Sequence, residues 1–482
     1  MHLARIIAPL DLRAVLTHLC RVTRLLALVL TLPLAVALLF REWTQAATFA
    51  LLAAMAFLIG RIRLLPWSPD LEAREGLVVT ALTYLLFALA GSVPFLAVAP
   101  FADSFFESMS GFTTTGLSTL DVEILPQSLL FFRAYSQWLG GAGIIVLSLV
   151  VLMGPGQAAF TLYGSEFGEE NLVGSVIATA RVVLKAYATL TALGFVAFLA
   201  VGMAPFDSML HVMATLSTGG FSTHTASIGH YQGANGVLLA VTLFMFLGAV
   251  SFPLYYHLRR DPGRFRRDEQ LRGLLTIGFV AALTAFAVTG FKPHRLLPWL
   301  FEMVSSLTTT GFCLTPPAQW PADIRLLSVI LMVIGGTAGS TAGGIKLFRL
   351  IITARVALRQ LIALLLPRET VLATKLNDEP VSDNEIRQIF AFLFLYLAIL
   401  VFSTLLFTMG GYSLADALFE SSSALGTVGL SSGITSPELA TGFKLLLIFD
   451  MWAGRLEILP ILITFYPGRL WRQRSTPCAS SS

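Results

Sequence analysis

Charged residues are scarce in this sequence. Only 12% of its 482 residues are Asp, Glu, Lys or Arg, whereas an ordinary soluble domain contains about 25%. Hydrophobic residues make up 56%, and the mean hydropathy is +0.78. This composition predicts an all-α, polytopic membrane protein that lies in the lipid bilayer. The net charge of +4 is too small to indicate nucleic-acid binding.

The sequence also lacks the residue patterns of a catalytic or cofactor site. Its three cysteines, Cys20, Cys313 and Cys478, are far apart and have neither disulfide nor metal-ligand spacing. No nucleophile beside a base is evident. The Gly-x-Gly-x-x-Gly dinucleotide fingerprint and a phosphate-binding lysine motif are absent too. These absences argue against an enzyme and against a cofactor in this chain, so control by a nucleotide would require a separate subunit.

About ten apolar stretches are each long enough to cross a bilayer, which takes about 20 residues. The first two stand apart as an N-terminal pair, and the other eight are interleaved with apolar segments too short to span. The predicted stretches are residues 22–40, 46–65, 76–99, 127–153, 177–203, 236–256, 274–291, 324–362, 387–409 and 441–466.

Four copies of a Thr-x-Gly pattern, each followed by Leu or Phe, occur after the short apolar segments. We call each copy, with the residue before it, a glycine segment. Intervals of about a hundred residues separate the copies, enough for two spanning helices and a re-entrant loop. Such repeats in a membrane protein indicate pseudo-symmetry about a substrate path. The glycine segments are Thr113-Thr114-Thr115-Gly116, Ser217-Thr218-Gly219-Gly220, Thr308-Thr309-Thr310-Gly311 and Gly426-Thr427-Val428-Gly429.

The recurrence predicts four helix–pore loop–helix repeats around one central pore, after two extra N-terminal helices. Each repeat consists of an outer helix, a short helix with its glycine segment, and an inner helix. The predicted divisions are 1–70 for the N-terminal helices, 71–160, 161–260 and 261–366 for the first three repeats, and 367–482 for the fourth repeat with a cytoplasmic C-terminus.

A second recurrence lies at one fixed distance before each motif glycine, where Asp103, Asp207, Pro298 and Asp416 stand. Asp is a favoured helix N-cap, and Pro is favoured in the first turn. We therefore expect these residues to begin short helices of about ten residues, about 15 Å long. The carboxyl end of a helix carries about half a negative charge, so four ends aimed at one point favour a cation.

Backbone carbonyls of the glycine segments are the candidate ligands of that cation. Glycine permits unusual dihedrals and leaves no side chain in the path. Rings of carbonyl oxygens replace the hydration shell of potassium in known filters. A lone Thr-x-Gly would be explained more simply as a contact between membrane helices. Four copies in register instead predict potassium bound at main-chain oxygens.

Titratable side chains recur within the short helices. Glu107, Glu302 and Glu420 stand at equivalent positions, and His211 takes this place in the second copy. Intramembrane carboxylates could couple potassium to protons or sodium, which makes an obligatory symporter the alternative to channel-like uptake. Buried hydrogen bonding explains them more simply. For His211, a pH-sensitive role competes with that of a histidine hydrogen-bonded behind its glycine segment.

The eighth apolar stretch contains a run that is poorly suited to a straight, lipid-facing helix. Ten residues from Gly335 to Gly344 include five glycines and three hydroxyl side chains. Glycines spaced by four also fit a helix-packing seam, but the doubled glycines and polar centre favour an intramembrane gating loop over 335–346. The candidate gating residues are Gly335, Gly336, Thr337, Gly339, Ser340, Thr341, Gly343, Gly344 and Lys346.

Arg455 is a further gating candidate, because it lies inside the last apolar stretch. An arginine at bilayer depth costs about 2.5–3.5 kcal/mol on insertion scales, so its side chain must face a cavity or a partner. An ion pair with Glu457 or Asp450 would satisfy this requirement as well as a place in the permeation path.

Basic residues indicate the orientation, since positively charged loops face the cytoplasm. They cluster after the second inner helix and near the C-terminus, so both termini should be cytoplasmic and the glycine segments should open outward. The arginines are Arg259, Arg260, Arg264, Arg266, Arg267 and Arg272, with Arg469, Arg472 and Arg474 near the C-terminus.

With these residues in view, the chain resembles the Trk/Ktr/HKT superfamily of potassium transporters, most closely its bacterial TrkH/TrkG branch of uptake membrane subunits. The resemblance covers essentially the whole chain, including the glycine segments and the two extra N-terminal helices. It implies potassium uptake across the bacterial inner membrane through one filter per chain. It also implies an intramembrane loop that obstructs the pore, and places Arg455 in the path beneath the filter.

The resemblance further implies partners and an ion preference. Members of the superfamily form homodimers and sit on a ring of soluble nucleotide-binding regulators of the TrkA type. Plant relatives that pass sodium have serine at the first filter glycine, and Gly116 keeps the potassium form. His211 and Gly219 depart from the pattern of the other copies, which predicts an asymmetric filter with fewer well-defined ion sites than a strictly fourfold channel.

Overall fold

The computed structural model describes residues 10–62, 73–152, 176–365, 373–377, 379–465 and 471–472. Three of the predicted domain boundaries, after residues 70, 160 and 366, lie outside these residues, as do Arg469, Arg474 and Cys478. The remaining boundary, after residue 260, coincides with the end of a helix.

Nearly all regular structure in the described residues is α-helical. Short 3-10 helices and two pairings of two-residue strands complete it, with β1 and β4 parallel and β2 and β3 antiparallel. The strands are β1 Leu10–Asp11, β2 Lys375–Leu376, β3 Glu379–Pro380 and β4 Trp471–Arg472. The helices are α1 Leu12–Leu39, α2 Trp43–Ile59, α3 Ala73–Ser92, α4 Phe101–Phe112, α5 Gln127–Leu152, α6 Val176–Ala200, α7 Pro205–Leu216, α8 Asn235–Ala249, α9 Leu254–Arg260, α10 Pro262–Arg267, α11 Glu269–Val288, α12 Leu296–Leu307, α13 Ala322–Ile334, α14 Leu347–Ala363, α15 Asp383–Met409, α16 Leu414–Leu425, α17 Thr441–Arg455 and α18 Leu459–Thr464.

Several of these helices have the length and composition of membrane spans. Within the described residues, five satisfy both criteria. Large apolar side chains on them face outward, such as Leu28, 68% exposed, and Phe394, 72% exposed, as contact with lipid requires. The prediction of a largely helical, polytopic membrane protein is confirmed at this level. The five spans are Leu12–Leu39, Arg74–Ala97, Ala180–Ala200, Glu269–Val288 and Asp383–Met409.

The helices before the four glycine segments, α4, α7, α12 and α16, are each 12 residues long. The prediction that Asp103, Asp207 and Asp416 cap them is wrong, because each aspartate is the third residue of its helix. The observed N-caps are Pro100, Ala204, Arg295 and Ser413. The helices start earlier because proline and small residues before the aspartates already adopt extended cap conformations. In the first turn an aspartate still interacts favourably with the helix dipole.

The helix that follows each glycine segment packs against the short helix of the next one. These contacts pair α5 with α7, α8 with α12, α13 with α16, and α17 with α4. The last pair joins the end of the chain to its beginning. The packing therefore closes the four short helices into a circular arrangement.

Three of the helices after the glycine segments are interrupted, although the sequence predicts only one interruption. The predicted break over 335–346 separates α13 from α14. Residues 236–256 and 441–466 were expected to be continuous, which is wrong, since α8 ends at Ala249 and α17 at Arg455. Pro253 cannot donate a helical hydrogen bond, and Glu457 and Ile458 adopt left-handed conformations, with φ of 58° and 65°.

Glycine permits the tightest of these helix contacts. A Cβ at Gly454, in α17, would overlap the carbonyl of Leu425 at the end of α16, whereas one at Gly442, in the same helix, would meet nothing within 4 Å. We expect Gly454→Ala to lower the melting temperature in detergent, since overpacking costs about 1–3 kcal/mol. Gly442→Ala should leave it unchanged or slightly higher. Equal melting temperatures for the two variants would contradict this packing.

Candidate functional site

The four glycine segments share one backbone conformation. The first residue ends the short helix with φ between −83° and −74°. The second, always threonine, has φ of 50–54°, and the last, always glycine, has φ of 72–100°. β-Branched residues rarely adopt left-handed conformations, so four such threonines at equivalent positions indicate a functional constraint. The sign of φ therefore alternates along each of the four segments.

The glycines bring the segments into contact in a closed order. A Cβ added to Gly116 would overlap the carbonyl oxygen of Gly219 in the second segment. The same contact recurs between Gly220 and Thr310, between Gly311 and Val428, and between Gly429 and Thr115. Each glycine thus lies against the carbonyl that precedes the glycine of the next segment. The four segments form one ring that leaves no room for a side chain at these positions.

Hydroxyl groups brace the ring from within the protein. Thr113 Oγ1 lies 2.9 Å from Thr115 Oγ1 in the first segment, and Thr308 Oγ1 lies 2.8 Å from Thr310 Oγ1 in the third. All four threonines are fully buried. In two copies a serine from the short helix accepts a hydrogen bond from the N–H of the last glycine. These bonds join Ser110 to Gly116, at 2.9 Å, and Ser423 to Gly429, at 3.1 Å.

The recurrent carboxylates hold the chain that continues beyond each glycine segment. In three copies the glutamate accepts a hydrogen bond from a residue 11 or 12 positions further along. The donors are Ser118 Oγ for Glu107, the Leu314 N–H for Glu302 and the Ser432 N–H for Glu420, at 2.8, 2.8 and 2.9 Å. These hydrogen bonds connect each short helix to the chain that continues beyond its glycine segment.

His211 makes the equivalent connection in the second copy. Its Nε2 lies 3.0 Å from Ser222 Oγ, and its Nδ1 lies 2.9 Å from the carbonyl oxygen of Asp207. The imidazole of His211 is fully buried. Asp207 itself accepts hydrogen bonds from Thr223 Oγ1 at 2.8 Å and Tyr231 OH at 3.0 Å. These bonds match the simpler interpretation of His211 as a histidine hydrogen-bonded behind its glycine segment.

Ion pairs connect neighbouring parts of the ring near the start of the short helices. Lys444 Nζ of α17 lies 2.6 Å from Asp103 Oδ1 of α4. Arg325 of α13 pairs with Asp416 of α16. Two of the aspartates predicted as caps therefore bind basic side chains from the helix that packs against them.

The predicted gating loop, 335–346, lies directly against the glycine segments. The Gly343 N–H donates to Thr309 Oγ1 at 2.8 Å. Thr341 Oγ1 donates to the carbonyl of Leu216, the last residue of α7, at 2.9 Å. The loop thus bonds to the second and third copies of the repeat at the ends of their short helices.

Unusual backbone conformations shape this loop. Gly335, Gly339 and Gly344 have φ of 72–74°, and Lys346, at its end, also has φ of 72°. The N–H and Oγ1 of Thr337 both donate to the carbonyl of Ala249, where α8 ends. The loop thereby donates hydrogen bonds to a backbone carbonyl that has no helical partner, because α8 ends there.

Arg455 joins the gating loop to another inner helix. Its two terminal nitrogens donate to the carbonyl oxygens of Thr341, at 2.7 Å, and of Gly140 in α5, at 2.9 Å. The side chain is 3% exposed. A guanidinium has a planar set of donors, which suits it to bridging two carbonyls at once.

The acidic residues considered as partners of Arg455 bind other groups. Asp450 accepts a hydrogen bond from Ser403 Oγ at 2.8 Å. Glu457 pairs with Lys346 at 2.8 Å and with Arg349. Among the described residues, neither forms a salt bridge with Arg455. The Glu457 pairs instead attach the end of the gating loop to the interruption after α17.

Sequence reasoning missed two polar residues of α5 that contact the second glycine segment and the chain after it. Gln137 binds Gly219, and Arg133 donates to the carbonyl of Ser222 at 2.9 Å. The available signal was an arginine and a glutamine four residues apart in the apolar stretch 127–153, which places both on one helix face.

Comparison with known proteins agrees with the sequence resemblance. Residues 45–271 and 284–472 match the family described as TrkH, cation transport protein. The Trk system potassium uptake protein TrkH of Escherichia coli is 30% identical over 489 residues, covering 95% of this chain and all of that protein. An uncharacterised cation transporter of Methanocaldococcus jannaschii is 32% identical over 400 residues, covering 82% of this chain and 83% of that protein.

A solved structure extends the likeness to three dimensions. The crystal structure of the potassium transporter TrkH from Vibrio parahaemolyticus matches with a TM-score of 0.83 and 28% sequence identity, covering 96% of this chain and all of that one. Sequence and fold thus agree over nearly the whole length. The chain therefore belongs to the TrkH family of cation transport proteins, which are transporters and not enzymes.

Proposed function

We propose that this chain is a potassium uptake pathway in which ions pass through the ring of glycine segments. The ring itself is the observation that carries this proposal. Four stretches of different sequence share one alternating backbone conformation and contact one another in a closed order. The ion ligands are the main-chain oxygens of residues 113–116, 217–220, 308–311 and 426–429. The printed names of the E. coli and Vibrio relatives support potassium as the substrate.

The electrostatics of the short helices favour a cation at the ring. Each of α4, α7, α12 and α16 ends at the first residue of a glycine segment. A helix end carries about half a negative charge, and four such ends stabilise a partly dehydrated monovalent cation. The buried glutamates behind the ring bind serine hydroxyls and backbone N–H groups, so direct ion ligation by side chains is not required.

The proposed architecture has ten spanning elements. Helices α1 and α2 form the N-terminal pair, and four repeats follow, with inner elements α5, α8–α9, α13–α14 and α17–α18. The basic helix α10 is then cytoplasmic and the ring opens outward. The pairing of β1 with β4 brings both ends of the described chain together, which supports termini on one, cytoplasmic, side of the bacterial inner membrane.

The gate consists of the loop 335–346 and Arg455. The loop lies against the ends of the short helices, and Arg455 binds Thr341 within it. A positive charge at this depth raises the energy of a cation that leaves the ring. Control of conduction is thus separated from ion choice, because the loop and the arginine lie outside the ring of carbonyls.

Coupled symport with protons or sodium is the less favoured alternative. It would require a carboxylate in the path that exchanges its proton or its ion during each cycle. Glu107, Glu302 and Glu420 are instead buried and hydrogen-bonded to the chain behind the ring, which supports a structural role for them.

Regulation and assembly involve other subunits in this proposal. The sequence has no nucleotide-binding fingerprint of its own, so a cytosolic nucleotide-binding ring of the TrkA type would control the gate. The transporter itself would be a homodimer with one ion path in each subunit. The Trk system named for the E. coli relative supports a multi-component assembly.

The central test is rubidium uptake into liposomes, competed with potassium, sodium and lithium. We expect potassium to compete best with wild-type uptake. In Gly116→Ser the new side chain would overlap the Gly219 carbonyl, and the preference for potassium over sodium should fall by about tenfold, which corresponds to about 1.4 kcal/mol. Gly202→Ser is the matched control, because Gly202 has the same φ of 95° but open space around it.

Two outcomes would reject the proposal at different levels. Sodium that competes as well as potassium with wild-type uptake would reject selective potassium transport. A selective wild type whose preference is unchanged in Gly116→Ser would reject the ring as the selecting element.

Removal of the arginine tests the gate. We expect Arg455→Ala to raise rubidium uptake by about tenfold, because it deletes a positive charge and the bridge from Thr341 to Gly140. Arg455→Lys retains the charge without the planar pair of donors and should give a smaller increase. Uptake at the wild-type level in Arg455→Ala liposomes would show that the arginine does not restrict conduction.

A further inference from the structure

The second glycine segment has no side chain at its third position, where each of the other three has one. At the third position the first and third segments have Thr115 and Thr310, each bonded to the hydroxyl of its own first residue, and the fourth has the buried Val428. The second has Gly219, whose φ is not left-handed. Its conformation therefore does not require glycine, and the reason for glycine lies in its surroundings.

Gln137 occupies the place of the missing side chain. A Cβ at Gly219 would meet the amide carbon, oxygen and nitrogen of Gln137 within 2.8 Å. The glutamine is fully buried and makes two hydrogen bonds to the segment. Its Nε2 donates to the Gly219 carbonyl at 2.5 Å, and its Oε1 accepts from the Phe221 N–H at 3.1 Å.

The glutamine belongs to a face of α5 that follows the second segment along its length. Arg133 lies one turn before it, donates to the carbonyl of Ser222 and stacks on the Phe221 ring at 4.0 Å. Gly141 lies one turn after it and approaches Ser217 closely. Residues spaced by four share a helix face, so the first repeat supplies the support for the second segment.

The Gly219 carbonyl also belongs to a contact between neighbouring segments, because its oxygen lies against Gly116 of the first segment. Its oxygen accepts a hydrogen bond from a side-chain amide, whereas the corresponding oxygens of Thr115, Thr310 and Val428 have no side-chain donor among the described hydrogen bonds. An N–H donor occupies one of the lone pairs of the oxygen and places a partial positive charge beside it. The second segment therefore presents a weaker ligand field to an ion at this level of the ring.

We propose that Gln137 is a positioning residue that sets the ion preference of the ring through the Gly219 carbonyl. A weaker carbonyl field favours larger, more easily dehydrated cations such as potassium and rubidium over sodium and lithium, because field strength is one determinant of selectivity. The inference rests on the proposed passage of potassium through this ring.

The test compares sodium and potassium as competitors of rubidium uptake in liposomes. Gln137→Met keeps the length and approximate volume of the side chain and removes the amide. We expect the preference for potassium over sodium to fall by about fivefold, the size of effect expected from one hydrogen bond. Gln127→Met, ten residues or about 15 Å earlier in the same helix, is the matched control and should keep the wild-type preference.

A pair of substitutions separates the space that Gln137 fills from the hydrogen bond that it donates. Gly219→Thr alone should abolish uptake, because its side chain would collide with Gln137. In Gln137→Ala the space is vacated, and the double variant Gln137→Ala/Gly219→Thr recreates the threonine of the first and third segments. We expect the double variant to recover uptake, because the collision is removed, and to keep the lowered preference of Gln137→Ala, because the amide that donates to the Gly219 carbonyl is still absent.

The outcomes separate this inference from the proposed function. A non-selective wild type would overturn both. A selective wild type with an unchanged preference in Gln137→Met would overturn only the role of Gln137, as would a double variant with the full wild-type preference. The preference is a ratio and does not depend on the amount of folded protein. If neither Gln137→Met nor the double variant folds, Gln137 is a folding residue and the positioning role is rejected.

Discussion

The structure depends on the contact between each glycine of the ring and the carbonyl of the next segment. Gly116 lies so close to the Gly219 carbonyl that a single methyl group would not fit, and the same holds around the circle. For four segments to approach this closely, each short helix must end at the same level and each threonine must accept a left-handed conformation. The packing of α17 against α4 then closes the circle. The equal lengths of the short helices and the ion pairs between neighbouring helices are consistent with this close approach of the four segments.

Polar contacts surround the ring on both of its sides. Near the start of the short helices, ion pairs such as Lys444 with Asp103 join neighbouring repeats at fixed positions. On the other side, Arg455 and the hydroxyls of the gating loop bind backbone carbonyls. Carbonyl contacts of this kind can be exchanged for water more readily than buried ion pairs, whose separation leaves uncompensated charge. On this side the ion pairs of Glu457 with Lys346 and Arg349 are the more persistent contacts, and the carbonyl contacts of Arg455 are the more exchangeable ones.

Much of this site could be predicted from the sequence because it recurs. The glycine segments and the short helices before them repeat with constant internal spacing, and the gating loop contains an unusual density of glycine. The position of the aspartates was misjudged by one turn, because Pro100 and Ala204 begin helices without a capping side chain. The interruptions after Ala249 and Arg455 were missed because no glycine run marks them, although Pro253 lies just beyond the first.

Composition and local motifs were enough to predict that the protein lies in a lipid bilayer, that the glycine segments recur four times, and which residues could form a narrow ring. These properties depend on composition and on local backbone preference, which can be recognised without knowledge of contacts. Contacts between distant residues became visible only in the folded chain: which short helix each inner helix contacts, that Arg455 binds Thr341 and Gly140 rather than an acidic side chain, and that Gln137 replaces the missing side chain at Gly219. Such partners are separated by many residues along the chain. Their pairing arises from the closure of the ring, which brings helices of different repeats together.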